Sequence, residues 1–98
     1  MKGPKAQTAP SRELLLANHE FPGEYIIKAF GPGDPAFRDA VHASAIAVLD
    51  RDRVQISERG TRSGSRVCVT LTLQIERVEE VEAIYAEIHA IDSLLLIL

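Results

Sequence analysis

The stretch VCVTLTLQI, residues 67–75, constrains the fold of this chain most strongly because apolar and polar side chains alternate along it. Its apolar set comprises Val67, Val69, Leu71, Leu73 and Ile75. Its polar set comprises Cys68, Thr70, Thr72 and Gln74. A period of two is the pattern of a β-strand with one buried face. The pattern predicts a strand that presents its first set to a hydrophobic core and leaves open what the second set meets.

Three further strands and two helices are predicted around this segment. Strands are expected over 24–31, 54–59 and 94–98, where β-branched and other apolar residues are bounded by turn-forming residues. Helices are expected over 35–50 and 78–90, where apolar residues recur at helical spacing. Asp34 followed by Pro35 predicts the start of the first helix, as an N-cap and a proline at the first helical position.

The resulting order of elements is β-α-β-β-α-β. This order predicts an α+β fold, a ferredoxin-like sandwich in which a four-stranded antiparallel sheet, in the order 4-1-3-2, carries both helices on one face. Residues 1–19 are predicted to be a flexible N-terminal tail with a short helical turn at Leu14–Leu16. Residues 20–98 are predicted to form a single domain.

Composition excludes several classes of function. The chain has 14 acidic and 11 basic residues, a formal charge of −3, and only 5% aromatic residues, which disfavours nucleic acid as a partner. The longest apolar run, LLLIL at 94–98, is far below the roughly 20 residues that span a bilayer, so no membrane association is expected. The single cysteine, Cys68, cannot form an intramolecular disulfide. We expect a cytoplasmic protein.

Two stretches carry a family resemblance. EFPGEYIIKAFG, residues 20–31, resembles the opening of the YbeD-like family of small bacterial proteins, and VEEVEAIYAEIHAIDSLLLIL, residues 78–98, resembles its closing helix and strand. The resemblance implies a ferredoxin-like fold similar to the ACT regulatory domains of amino-acid metabolism. This chain departs from the family at Arg66, where an aromatic residue is usual, and at Cys68, where serine is usual.

No catalytic residues, metal ligands or cofactor are predicted. The three histidines share no metal-ligand spacing, and they are His19, His42 and His89. A ligand site, if present, is expected at two glycine-containing loops, one after the first strand and one between the second and third strands. These candidates are Gly31, Gly33 and Asp34 in the first loop and Arg62, Ser63, Gly64 and Arg66 in the second. The arginines near the second loop, together with Arg59, can hold a carboxylate or phosphate, or can serve only solubility at a hairpin tip.

The face of the sheet opposite the helices is predicted to be apolar and therefore an interface. Its candidate residues are Ile26, Phe30, Cys68, Leu94, Leu95, Leu96, Ile97 and Leu98. The alternation leaves open whether Leu95 and Ile97, or Leu94, Leu96 and Leu98, point outward. The competing interpretation is that the N-terminal segment, with Leu14–Leu16 and Phe21, folds over this face.

These features favour a non-enzymatic regulatory or protein-interaction domain. We expect a homo-oligomer that binds a protein partner or senses a small metabolite, as ACT domains do. The alternative is a small oligomeric enzyme whose site forms at a subunit interface. Glu24, Asp34 and His42 are the candidate titratable groups for such a site.

Overall fold

The computed structural model describes residues 9–98, so the predicted tail at 1–8 lies outside the described residues. The helices are α1 (Arg12–Asn18), α2 (Pro35–Ile46) and α3 (Val78–His89). The strands are β1 (Gly23–Pro32), β2 (Val54–Gly60), β3 (Arg66–Ile75) and β4 (Leu96–Ile97). A single 3₁₀ turn, Arg51–Arg53, leads into β2.

The strands form one four-stranded sheet in the order β2-β3-β1-β4, which is 4-1-3-2 when read from the other edge. Every neighbouring pair is antiparallel. The long central pair, β1 with β3, runs from Gly23 opposite Ile75 to Pro32 opposite Arg66. The predicted α+β fold with a four-stranded antiparallel sheet is therefore confirmed.

The two faces of the sheet differ as the alternation in β3 predicts. On the inner face, Tyr25, Ile27 and Ala29 of β1 are buried. The apolar set of β3 is buried beside them, namely Val67, Val69, Leu71, Leu73 and Ile75. Helices α2 and α3 pack against the strands and against each other, so the core lies between helices and sheet.

At the N-terminus of each long helix, a carboxylate accepts hydrogen bonds from backbone N–H groups that the helix itself leaves unpaired. The Asp34 carboxylate accepts a hydrogen bond from the Phe37 N–H at 3.0 Å, which confirms the predicted N-cap of α2. At the start of α3, the Glu80 carboxylate accepts hydrogen bonds from the N–H groups of Glu76 (2.7 Å) and Arg77 (3.3 Å). These hydrogen bonds, accepted by a residue of the first turn, stabilise the N-terminus of α3, where the N-cap residue is not Ser, Thr, Asn or Asp.

Two predicted elements are longer than the observed ones. Helix α2 ends at Ile46 rather than at residue 50, because a tight hydrogen bond from the Val48 N–H to the Ala45 carbonyl (3.1 Å) turns the chain there. Strand β4 is confined to Leu96–Ile97, although Leu98 and Lys28 still exchange backbone hydrogen bonds of 2.8 and 3.1 Å.

Residues 9–22 pack beside the helices and do not cover the outer face. Helix α1 contacts α3, Leu15 is 2% exposed within the core, and the Arg12 guanidinium donates to the Glu82 carboxylate at 2.6 Å. The Phe21 ring lies 6.4 Å from that of Tyr25, an inner-face residue. The interpretation that Leu14–Leu16 and Phe21 fold over the outer face is therefore wrong for the described residues, since a buried Leu15 commits α1 to the core.

Candidate functional site

The outer face of the sheet is the surface opposite the helices, and on β1 and β4 it exposes apolar side chains around the charged Lys28. Ile26 is 50% exposed and Leu98 is 54% exposed. Phe30, Leu96 and Cys68 are half-buried beside them. An open sheet face is ordinarily polar, so apolar side chains this exposed form an unusual surface.

The last residues of the chain divide between the two sides of the sheet. Leu94 is 4% exposed and Ile97 is 1% exposed, so both belong to the core and are not part of the outer face. Leu95 is 48% exposed, and Leu96 lies opposite Phe30 in the outer row. Neither alternative pattern from the sequence holds in full, because the regular strand begins only at Leu96 and alternation does not extend back through Leu94 and Leu95.

Strand register places four outer-face side chains in one row across the sheet. Arg59 of β2 lies opposite Cys68 of β3, Cys68 lies opposite Phe30 of β1, and Phe30 lies opposite Leu96 of β4. A cavity of about 420 Å³ lies over this row and is also lined by Leu95 and Arg66. We call this cavity the arginine trough. Its floor is apolar and its rim carries two guanidinium groups.

A second cavity of about 520 Å³ continues from the arginine trough along the same face. It shares Phe30, Arg59 and Cys68 with the trough and adds Lys28 and Leu98. Together the two cavities make a continuous depression on the outer face. Small-molecule sites commonly have this size and a largely apolar lining with a few polar groups.

Within residues 9–98, three arginines on the helix side pair with carboxylates of the chain, whereas the arginines of the trough do not. On the helix side, Arg12 pairs with Glu82 at 2.6 Å, Arg38 with Glu58 at 2.9 Å and Arg53 with Glu80 at 2.7 Å. In the described part of the chain, neither Arg59 nor Arg66 forms a side-chain ion pair or hydrogen bond. The trough therefore carries uncompensated positive charge.

The helix-side pair of Arg53 and Glu80 shows how a carboxylate that pairs with an arginine is stabilised in its charged form. Burial opposes ionisation of Glu80, but hydrogen bonds from Arg53 and from the backbone N–H groups of Glu76 and Arg77 outweigh it. The pKa of the Glu80 carboxyl therefore lies below its ordinary value. Arg53 also donates to the Gln74 carbonyl at 3.0 Å, so its donors are engaged by the fold itself.

The two loops predicted to hold a ligand do lie together. The Gly33 N–H donates to the Ser65 carbonyl at 3.1 Å, and a Cβ at Gly33 would overlap the Gly64 carbonyl oxygen. Gly64 has φ +76, a left-handed conformation that favours glycine. Close packing of the β1–α2 turn against the β2–β3 hairpin therefore explains Gly33, and the left-handed backbone conformation explains Gly64.

The remaining predicted ligand residues have varied positions. Gly31 is buried against the Phe37 ring, Asp34 is engaged as the N-cap of α2, and the Ser63 hydroxyl lies 2.8 Å from that of Ser65. Arg62 lies exposed in the hairpin outside the arginine trough. Of the arginines predicted to hold an anion, Arg59 and Arg66 line the trough.

Sequence reasoning assigned no ligand role to Leu95 and Leu96, which form one wall of the trough with Phe30. Their position follows from the pairing of β4 with β1, which a run of five apolar residues does not specify. The signal that was available is the spacing of Arg59 from Cys68 and Arg66 across a short hairpin. At this spacing both arginine side chains, Arg59 on β2 and Arg66 on β3, lie on the same face of the sheet as Cys68.

The alternative enzymatic residues do not converge. Glu24 and Asp34 flank opposite ends of β1, about 25–30 Å apart at roughly 3.3 Å per residue. His42 lies on α2, half-buried, on the helix side of the sheet. Over residues 9–98 no group of three His, Cys, Asp or Glu side chains is arranged to hold a metal ion. No helix within that range has the length and hydropathy needed to cross a membrane.

Comparison with known proteins gives a family but no activity. The family described as "Protein of unknown function (DUF493)" matches residues 17–98. A comparison with curated proteins found no match. The matched range includes every strand of the sheet together with α2 and α3.

Proposed function

Because the chain belongs to the DUF493 family, described as of unknown function, we propose its role from its surface: a non-enzymatic regulatory domain that binds other protein chains through the outer face of its sheet. The single observation that carries this proposal is the exposed apolar character of that face, with Ile26, Leu95 and Leu98 each about half exposed. Contiguous apolar surface on a small domain marks sites of association.

We propose a second copy of the chain as the first occupant of the outer face. Two-fold association is the commonest arrangement of soluble oligomers and requires a self-complementary patch. The apolar half of the outer face, with Ile26, Phe30, Leu96 and Leu98, can pack against the same half of another copy. Thr70 and Thr72 beside it are neutral, and Lys28, between Ile26 and Phe30, can extend its ammonium group to the edge of the contact.

The fold class and the family resemblance together support a regulatory role. The strand order and the antiparallel pairing favour the ferredoxin-like class, and with it the similarity to ACT domains implied by the YbeD-like resemblance. ACT domains are regulatory, so the resemblance supports a regulatory role for this chain. We place the protein in the bacterial cytoplasm on the same resemblance and on its single cysteine.

Light scattering after size-exclusion chromatography tests this proposal. We expect the wild-type chain to elute as a dimer and Leu98→Asp to elute as a monomer, because an added carboxylate on the outer face must lose its hydration when two copies meet. Leu16→Asp is the matched control. Leu16 is equally exposed, at 54%, but lies on α1, away from the outer face.

Circular dichroism of both variants verifies that the fold is retained. A monomeric wild-type chain at high concentration would overturn the self-association. Dissociation by Leu16→Asp but not by Leu98→Asp would place the interface on α1 and would equally refute the proposal.

A further inference from the structure

We propose that the arginine trough binds a small organic carboxylate that has an apolar tail. This inference rests on the proposed function in that both assign binding to the outer face of the sheet. It adds the chemical class of a ligand that the regulatory domain would sense.

The charge of the trough selects the head group. Arg59 lies opposite Cys68, and Arg66 lies two residues before Cys68 on the same face of β3, so the arginines are diagonal neighbours. Diagonal side chains on antiparallel strands are about 7–8 Å apart, close enough for one carboxylate to accept hydrogen bonds from both. No Asp or Glu lines the trough, so its only charges are positive.

The shape of the trough selects the tail. Phe30, Leu95 and Leu96 form an apolar wall at the β4 side, and Arg59 and Arg66 lie at the β2–β3 side. A ligand with its carboxylate between the arginines would therefore extend its tail across Cys68 onto this wall. The volume of about 420 Å³ accommodates a small molecule rather than a macromolecular segment.

Among the arginines of residues 9–98 that lack a carboxylate partner, Arg59 and Arg66 are distinguished because both line one apolar cavity. Arg12, Arg38 and Arg53 are each matched by a carboxylate of the chain itself. Two neighbouring guanidinium groups above an apolar floor can together donate several charge-assisted hydrogen bonds to one anion. An external carboxylate would supply the partner that the fold supplies elsewhere.

Titration of the ¹⁵N-labelled protein by NMR tests this inference with three probes. Hexanoate carries both head and tail, hexan-1-ol carries the tail alone, and acetate carries the head alone. We expect hexanoate to cause saturable shifts of the backbone amides of Gly60, Thr61, Arg66 and Leu96. We expect each of the other two probes to bind at least about tenfold more weakly, because each lacks one of the two contacts.

The double variant Arg59→Gln with Arg66→Gln should weaken hexanoate binding about tenfold or more and leave hexan-1-ol unaffected. Arg62→Gln is the matched control, since Arg62 is exposed on the same hairpin and does not line the trough. Three results would each overturn the inference: absent or displaced amide shifts, equal binding of hexan-1-ol, or an equal loss in Arg62→Gln.

The same titration on Leu98→Asp separates this inference from the proposed function. Leu98 does not line the arginine trough, so the variant retains the binding residues whether or not it self-associates. Hexanoate binding by a wild-type chain that proves monomeric would support the ligand and refute the dimer. A dimeric wild-type chain, together with a monomeric Leu98→Asp variant that binds no hexanoate, would support the dimer and refute the ligand.

Discussion

The two faces of one sheet are built from the same strands and yet follow different rules. On the inner face, β1 and β3 contribute side chains such as Ile27 and Leu71 that are fully buried beneath α2 and α3. On the outer face, the intervening residues of those strands include an exposed Ile26 and an unpaired Arg66. The inner face is complete within one chain, whereas the outer face has apolar surface and charge that nothing in the described chain compensates.

The residues needed for stability and the residues available for binding therefore lie on opposite faces of this small domain. Stability requires one face of the sheet to be covered, and the helices of the chain cover it. The other face is then free to carry residues that would be costly in a monomer and useful in a complex. Mutations on the two faces should therefore change different properties.

The largest expected effect comes from truncating a core residue of the inner face. Leu71→Ala removes a side chain that is 0% exposed and should lower the free energy of unfolding by about 2–5 kcal/mol. Thr70→Ala, its neighbour on the outer face, should cost less than about 1 kcal/mol. Urea denaturation measures both, and equal losses would contradict the distinction between the faces.

A smaller effect is expected where a glycine of the inner face meets a helix. A Cβ at Gly31 would lie 2.5 Å from the Phe37 ring, so Gly31→Ala should destabilise the fold by about 1–3 kcal/mol. At Gly60, on the edge strand, the nearest atom to a Cβ is the Arg66 carbonyl oxygen at 3.8 Å. Thermal unfolding should leave Gly60→Ala close to wild type, and similar melting temperatures for both variants would show that Phe37 yields without cost.

The smallest effect concerns the arginines and depends on pH. At pH 7, Arg53→Gln should cost about 1 kcal/mol because it removes the charged partner of Glu80, whereas Arg59→Gln should change the free energy of unfolding by less than about 0.5 kcal/mol.

The pH dependence follows from the lowered pKa of Glu80 in the folded chain. Its stabilisation is fully present above the unfolded value of about 4.3 and is lost as the pH falls through the lower folded value. The Arg53→Gln effect should fade over that acidic range in denaturation curves. A cost that stays constant down to pH 2 would exclude the ion pair as its source.

The alternation of residues 67–75 sufficed to predict which side chains of β3 enter the core, because a period of two on a one-sided sheet allows one solution. The start of α2 was equally predictable, since Asp34 and Pro35 are local signals. The outward direction of Ile26 and Phe30 followed from the same reasoning. These features depend only on residues that are close in the sequence and on the rule that one face of the sheet is buried.

What the sequence did not specify depends on contacts between distant segments. LLLIL carries no alternation, so only its pairing with β1 decides that Ile97 is buried and Leu98 exposed. The packing of α1 on α3 depends on Leu15 and on the pair of Arg12 with Glu82, which are 70 residues apart. The arginine trough likewise requires β2, β3, β1 and β4 to be assembled before its walls meet.

The rate at which Cys68 reacts with iodoacetamide tests most directly whether the outer face is a binding surface. Cys68 is the only cysteine of the chain and lies half-buried between Arg59 and Phe30 on that face, so the reaction reports on this face alone. As the protein concentration rises from about 1 μM to about 1 mM, we predict that the rate constant falls for the wild-type chain and stays constant for Leu98→Asp. A rate constant that is independent of concentration and equal in the two proteins would show that self-association does not bury the outer face.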